Sequence, residues 1–354
     1  MNSANFVFTE FYEVRLQKCP PGIYIAPCEL DRVPGFDARH RVGEMMKRRE
    51  AHLTYRPPSK KASFAWLLVC AVGAALFAVM IAAQGALAHA NHDPNAGWFQ
   101  RCALAKTGTF DPIVFPNNPG PVGHEHLFFG ATAISHDSTV SSLRAGGTTC
   151  RFKDGTTGGN NSSYWVPDLL LRDGKTWASG KQLNAYYKKG ASSVNAHVIK
   201  PFPEGLKMIV RDRNSSQTQV KWYCANLNGE GNNGKFAERP YDCNPTGSYP
   251  YVTARINFPQ CGNGATDSVD HIRHMVYAGA SGCPSTHPQV FPRLFITAKY
   301  NTSRGAGALL AGGADPATGF HADYFEAWHP GQLEFYVDGC IRAGINCRSR
   351  STPG

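Results

Sequence analysis

Hydrophobic residues fall into one long block and many short ones. The short runs, among them HLFFG, SYWVPDLLL, LKMIV, QVKWYC, YVTARINF, RLFITAKY and QLEFYV, are strand-length and carry aromatic and β-branched residues. Gly-, Asn- and Pro-rich turns such as NPG, RDG, NGEG and GNG separate them. No stretch of 12 or more residues in this part of the chain holds a 3.6-residue period. The pattern predicts an all-β fold, a β-sandwich or jelly roll with long loops, over residues 107–347.

The long block, Ser63–Ala83, has 21 consecutive uncharged residues, enough to cross a hydrocarbon core of about 30 Å as a helix. Lys47, Arg48, Arg49, Arg56, Lys60 and Lys61 precede it and place the N-terminus in the cytoplasm. ALAHA follows, with Ala88 and Ala90 in an A-x-A-like cleavage pattern. Two readings stand: an anchor crossing the membrane through residues 63–83, with the C-terminal domain extracellular, or a signal peptide cleaved after Ala90 to give a secreted protein. Residues 1–61, Pro-rich and without helical period, read as a disordered basic cytoplasmic arm. Residues 62–88 form the signal-anchor or signal peptide, 89–106 a linker and 348–354 a tail.

Eight of the eleven cysteines lie beyond the apolar block: Cys102, Cys150, Cys224, Cys243, Cys261, Cys283, Cys340 and Cys347. None makes a C-x-x-C, which argues against a zinc ribbon and for up to four disulfides in an oxidising compartment. Proximity suggests Cys224 with Cys243 and Cys340 with Cys347. From Asn91 onward there are 25 Lys and Arg against 19 Asp and Glu, a scattered surplus without basic-aromatic motifs. Nucleic acid is therefore not an expected partner.

Candidate chemistry centres on histidine. In G-H-E-H, residues i and i+2 of a strand share a face, so His124 and His126 point together and Glu125 away. D-H-I-R-H, S-T-H-P and G-F-H-A-D add His271, His274, His287 and His321, with Asp270 and Asp323 close by in sequence. A carboxylate beside an imidazole fixes its tautomer, raises its pKa or supports a metal ligand. His124, His126 and His287 are the candidate ligands of a divalent metal, zinc or copper. Asp270, His274, His321 and Asp323 are the candidate catalytic set, the carboxylates as acid and base or nucleophile and the histidines tuning them. Tyr164, Trp165 and Trp328 are candidate sugar-stacking residues. Neither G-x-S-x-G nor H-E-x-x-H occurs, which removes support for serine hydrolases and zincins. GEGNNGK, Gly229–Lys235, has Phe236 where a P-loop needs Ser or Thr, and reads as a turn.

The ordered blocks DPIVFPNNPGPVGHEHLFFG, SLRAGGTTC, NNSSYWVPDLL, FPEGLKMIV, INFPQCGNG, DHIRHMVYAG, GCPSTHP and GFHADYFEAWHPGQLEFYVDGC resemble the DUF1996 family over about Asp111 to Cys340. The resemblance implies a secreted or surface domain of unassigned activity, sometimes found beside carbohydrate-binding modules. The family's recurring polar positions fall on His124, His126, Asp270, His271, His274, His287, His321 and Asp323 among others. Gly262-Asn263-Gly264 departs from the family's usual Trp and Asp, and Asp168 stands where a neutral residue is common. The expected function is to act on or bind cell-wall polysaccharide or another glycan through the His/Asp site. Its rivals are a non-catalytic metal- or glycan-binding module and a structural wall protein.

Overall fold

In the computed structural model, residues 93, 95–211, 219–232 and 235–353 are described, all within the compact unit Ala75–Gly354. The expected cytoplasmic arm, apolar block and cleavage site lie outside the described residues. Among the described residues no helix is long and apolar enough to cross a membrane.

The fold is mostly β, and its spine is β1, Gly97–Gly108. Residues 97–106, expected as linker, are therefore a central strand, and Trp98 and Cys102 on it are fully buried. The other ladder strands are β2 (His126–Gly130), β3 (Cys150–Arg151), β4 (Ser163–Pro167), β6 (Gly180–Lys188), β7 (Lys207–Arg211), β8 (Val220–Ala225) and β9 (Tyr251–Asn257). They are completed by β13 (Arg293–Tyr300), β15 (His321–Phe325) and β16 (Asn346–Arg348). The order is β7-β15-β4-β2-β1-β6-β13-β9-β8, with β3 and β16 also on β1. Every pairing is antiparallel except β1 with β16.

One strand serves both halves of this sheet. Up to Ala103, β1 pairs with β6; from Leu104 it pairs with β2, and that ladder shifts register between Leu104 and Lys106. Such an irregularity bends a strand and increases its twist, and it curls the sheet here. The expected all-β fold is met as a mostly β one with a few short helices, and this strand order does not make a jelly roll. Short pairs lie off the sheet: β5 (Leu169–Leu170) with β14 (Leu309–Leu310), and β10 (Cys261–Gly262) between β11 (Met275–Val276) and β12 (Gln289–Val290).

Alternation sets two cores. On β13, Leu294, Ile296, Ala298 and Tyr300 face the main core, which includes the packed rings of Trp98, Tyr187, Trp328 and Tyr336. A smaller core of Phe128, Trp165, Ile209 and Phe325 covers the other face of the β2-β4-β15-β7 half, under Ile113 and Ile134 from the loops and Leu143 from the short helix Val140–Ala145. Four disulfides tie the loops: Cys102–Cys150, Cys224–Cys243, Cys261–Cys283 and Cys340–Cys347. The two pairings suggested by proximity are both present.

Candidate metal centre

The histidine site grows from the face that carries the smaller core. On β2, His126 stands level with Pro167 of β4; two residues back along β4, Trp165 stands level with Asp323 of β15. The same register brings His321 level with Pro167 from the other side. The two imidazoles, from the strands on either side of β4, come to 5.1 Å between ring centroids. His124, in the bend just before β2, reaches the same point, its ring centroid 4.5 Å from that of His126.

His124 Nε2 lies 2.9 Å from His321 Nε2, and His126 Nε2 lies 3.3 Å from it. The outward nitrogens fix the tautomers. His126 Nδ1–H donates to the Phe110 carbonyl at 3.1 Å, and His321 Nδ1–H donates to Asp323 Oδ2 at 2.5 Å. Both acceptors take a hydrogen and give none, so the protons of neutral His126 and His321 sit on Nδ1. Their Nε2 lone pairs then face each other at 3.3 Å, an arrangement that repels unless a proton or a metal cation lies between them.

The distances suit a metal. Three imidazole nitrogens at 2.0 to 2.1 Å from a tetrahedral zinc ion stand about 3.3 Å apart. Among the described residues, His124, His126 and His321 form a ligand-capable group with all donor atoms within 4.8 Å of one another. The partners of the outward nitrogens, a main-chain carbonyl and a carboxylate, are those that orient metal-bound histidines.

Electrostatics favours neutral ligands at two positions. Burial, then the neighbouring His321, pushes His124 down to about 4; burial does the same to His126, which falls well below its ordinary value. At His321 burial opposes charge, but Asp323 prevails and the pKa is raised. Asp323 is itself pushed up to about 6 by burial, with His321 pulling the other way. Its Oδ1 is buried with no hydrogen-bond partner, as is Arg211 Nε across the ladder from His321. The group floors an open cavity of about 370 Å³, with Asp111, Phe115, Arg211 and Phe320 among its walls. Asp111 is held by an Asx turn, its Oδ1 accepting from the backbone N–H of Ile113 at 2.9 Å and of Val114 at 3.0 Å.

The remaining expected residues lie elsewhere. His287 is not the third imidazole: its Nε2 meets the Arg273 carbonyl at 2.8 Å and its Nδ1 the Thr286 hydroxyl at 3.0 Å. Asp270 belongs to a separate cluster with Ser268 and Arg273, and is not among the residues lining the cavity with Asp323. His274 is fully buried in that cluster, between the Ser268 hydroxyl and the Lys207 carbonyl. Tyr164 and Trp165 are 0% exposed and Trp328 is 1% exposed, which closes their ring faces to any sugar. The pattern reading missed Asp111, Arg211 and the Phe110 carbonyl. Asp111 opens the first family block, but nothing local in the sequence marks the other two.

Fold and site together define a disulfide-bonded, mostly β domain with a three-histidine group at the floor of a cavity. The chain belongs to the DUF1996 family, a domain of unknown function, whose family model matches residues 111–328. No curated protein and no solved structure matches the chain.

Proposed function

We propose that this DUF1996 domain is a metal-binding module of the cell exterior, in which His124, His126 and His321 hold one zinc or copper ion at the cavity floor. The observation that carries the reading is the convergence of three Nε2 atoms, with the outward nitrogens of His126 and His321 already committed as donors. Three histidines leave a coordination position for an oxygen ligand, and zinc in such a set lowers the pKa of its water and polarises carbonyl oxygens. A cell-wall polysaccharide or other glycan is the proposed ligand class. Four disulfides fit an oxidising exterior, and the cavity offers Asp111 and Arg211 as hydrogen-bonding partners for hydroxyl groups. Anchoring through residues 63–83 or secretion after Ala90 would each deliver the domain there.

Paired-carboxylate hydrolysis draws less support. The backbone N–H and guanidinium of Arg273 hold Asp270 well below the usual carboxylate range, which suits neither a general acid nor a partner of Asp323. The test is metal titration of the purified chain after chelation. One equivalent of zinc or copper should bind to the wild type, and His321→Ala should reduce affinity at least 100-fold. Equal binding by wild type and His321→Ala would reject the centre. Glycan-array binding that depends on the metal tests the ligand class separately.

A further inference from the structure

A second feature lies on the other half of the sheet, on the face of β1, β6, β13, β9 and β8 turned away from the main core. The ladder registers place its residues in rows. Phe99, Tyr186 and Phe295 are level with one another; Arg101, Asn184, Thr297, Arg255 and Lys221 form the next row; Gln182, Lys299, Thr253 and Tyr223 form the one after. Arg293 stands level with Lys188 at the near end.

Arg101, Lys221, Arg255, Arg293 and Lys299 thus share one face, and no Asp or Glu stands in these rows. None of the five is in an ion pair among the described residues. The Nε atoms of Arg101, Arg255 and Arg293 are buried without a hydrogen-bond partner. Lys299 is 1% exposed, and its ammonium has one long contact, 3.5 Å to the Thr297 hydroxyl. Burial, then Arg101, lowers it to about 7. Lys188 differs, since it is satisfied by the Asn95 carbonyl at 2.9 Å and Asn346 Oδ1 at 3.1 Å.

The rings hold the guanidinium groups in place. Phe99 stacks on Tyr186 at 4.9 Å and Tyr186 on Phe295 at 4.4 Å, while Arg255 lies 4.5 Å and Arg293 5.7 Å from the Phe295 centroid. Arg101 lies 5.8 Å from that of Phe99. The Asn226–Glu230 turn crosses the middle of the face, Gln182 Nε2 donating to the Leu227 carbonyl, and its Glu230 carboxylate accepts from Asn226 Nδ2. Half-buried cations gathered without counter-charge are unfavourable in the free protein, and an arriving polyanion offsets that cost.

We propose that this face binds an anionic polysaccharide, one bearing carboxylate or sulfate groups, through the partly exposed Arg101, Arg255 and Arg293. Guanidinium forks match both anions in shape. A glycan polyanion fits better than single-stranded nucleic acid, because the aromatic rings stack on one another and leave no platform for bases. The eight disulfide-bonded cysteines fit an oxidising exterior, where such glycans occur. The inference does not depend on the histidine centre.

The test uses the purified full chain with heparin, polygalacturonate, neutral dextran and a single-stranded oligonucleotide at about 0.15 M salt, where long-range screening is strong. Heparin or polygalacturonate should bind and dextran should not. Arg101→Gln with Arg255→Gln should weaken binding at least tenfold, Arg101→Lys with Arg255→Lys should restore part of it, and Lys175→Gln with Lys200→Gln, exposed elsewhere, should change it less than twofold. Circular dichroism checks folding. If the double Gln variant fails to fold, protection of Arg101 and Arg255 from phenylglyoxal by heparin in the wild type decides instead. Absence of binding to both acidic glycans, equal losses in the two double Gln variants, tighter binding of the oligonucleotide, or no protection would each overturn the proposal.

Discussion

His126 and His321 each donate from Nδ1 to a fixed acceptor, and in the neutral rings that leaves two Nε2 lone pairs 3.3 Å apart. Asp323 therefore acts on the centre through His321, by fixing its tautomer and ring angle. Asp323→Asn should weaken metal binding by about 10- to 100-fold in competition with a chromophoric chelator, the usual cost of losing such a partner. His287→Ala should leave affinity unchanged, because His287 is engaged with Arg273 and Thr286. At this scale the sequence was half legible. An extended G-H-E-H offers His124 and His126 as an i, i+2 pair, and G-F-H-A-D offers His321 and Asp323 as another. Which distant histidine completes the set depends on β4 lying between β2 and β15, and no local pattern encodes that order. The aromatic pairs misled for a related reason. Tyr164 and Trp165 point to opposite faces, and both faces of β4 are covered, one by each core.

Among the elements, β1 shapes the sheet, and its start shows how tightly. Gly97 has φ +131, and a Cβ there would stand 2.0 Å from the Tyr187 carbonyl oxygen. Gly97→Ala should destabilise the domain by at least about 1 to 3 kcal/mol, the scale of a forced backbone outlier, read as a lower urea midpoint. An unchanged midpoint would mean that this end of β1 is not held as described. Just past β15, Glu326 accepts from the backbone N–H of Gly205 at 2.8 Å and of Trp328 at 2.7 Å. Burial nonetheless pushes it up to about 7 from 4.5. A raised folded-state value means that the native protein binds the extra proton. The stabilisation is complete below about pH 4.5 and is lost as pH rises through about 7. The urea midpoint of the wild type should therefore fall between pH 5 and pH 8 relative to that of Glu326→Gln. Parallel curves would show that Glu326 titrates normally. Strand existence was readable from the runs and turns, but the extent of β1 was not: FQRCALAKTG has few β-branched residues, and tertiary pairing with β6 and β2 makes it a strand.

For the molecule as a whole, an even set of eight cysteines without metal-type spacing pointed to the disulfide framework, and the structure closes all four bonds. Cys224–Cys243 and Cys261–Cys283 span 19 and 22 residues. In the chain-entropy account a loop near that size contributes about 3 kcal/mol, so reduction should lower the thermal midpoint clearly. A midpoint unchanged by a reductant that is shown to open the bonds would contradict that role. The framework braces loops around a curled sheet, and on one face of that sheet the order of β2, β4 and β15 lets three imidazoles gather. The most direct test of this account is X-ray absorption spectroscopy on the zinc-loaded chain, set beside the same spectrum for His321→Ala. The account predicts three imidazole nitrogens at about 2.0 to 2.1 Å in the wild type and loss of that shell in the variant. Zinc bound without histidine scattering, or a spectrum that His321→Ala leaves unchanged, would contradict it.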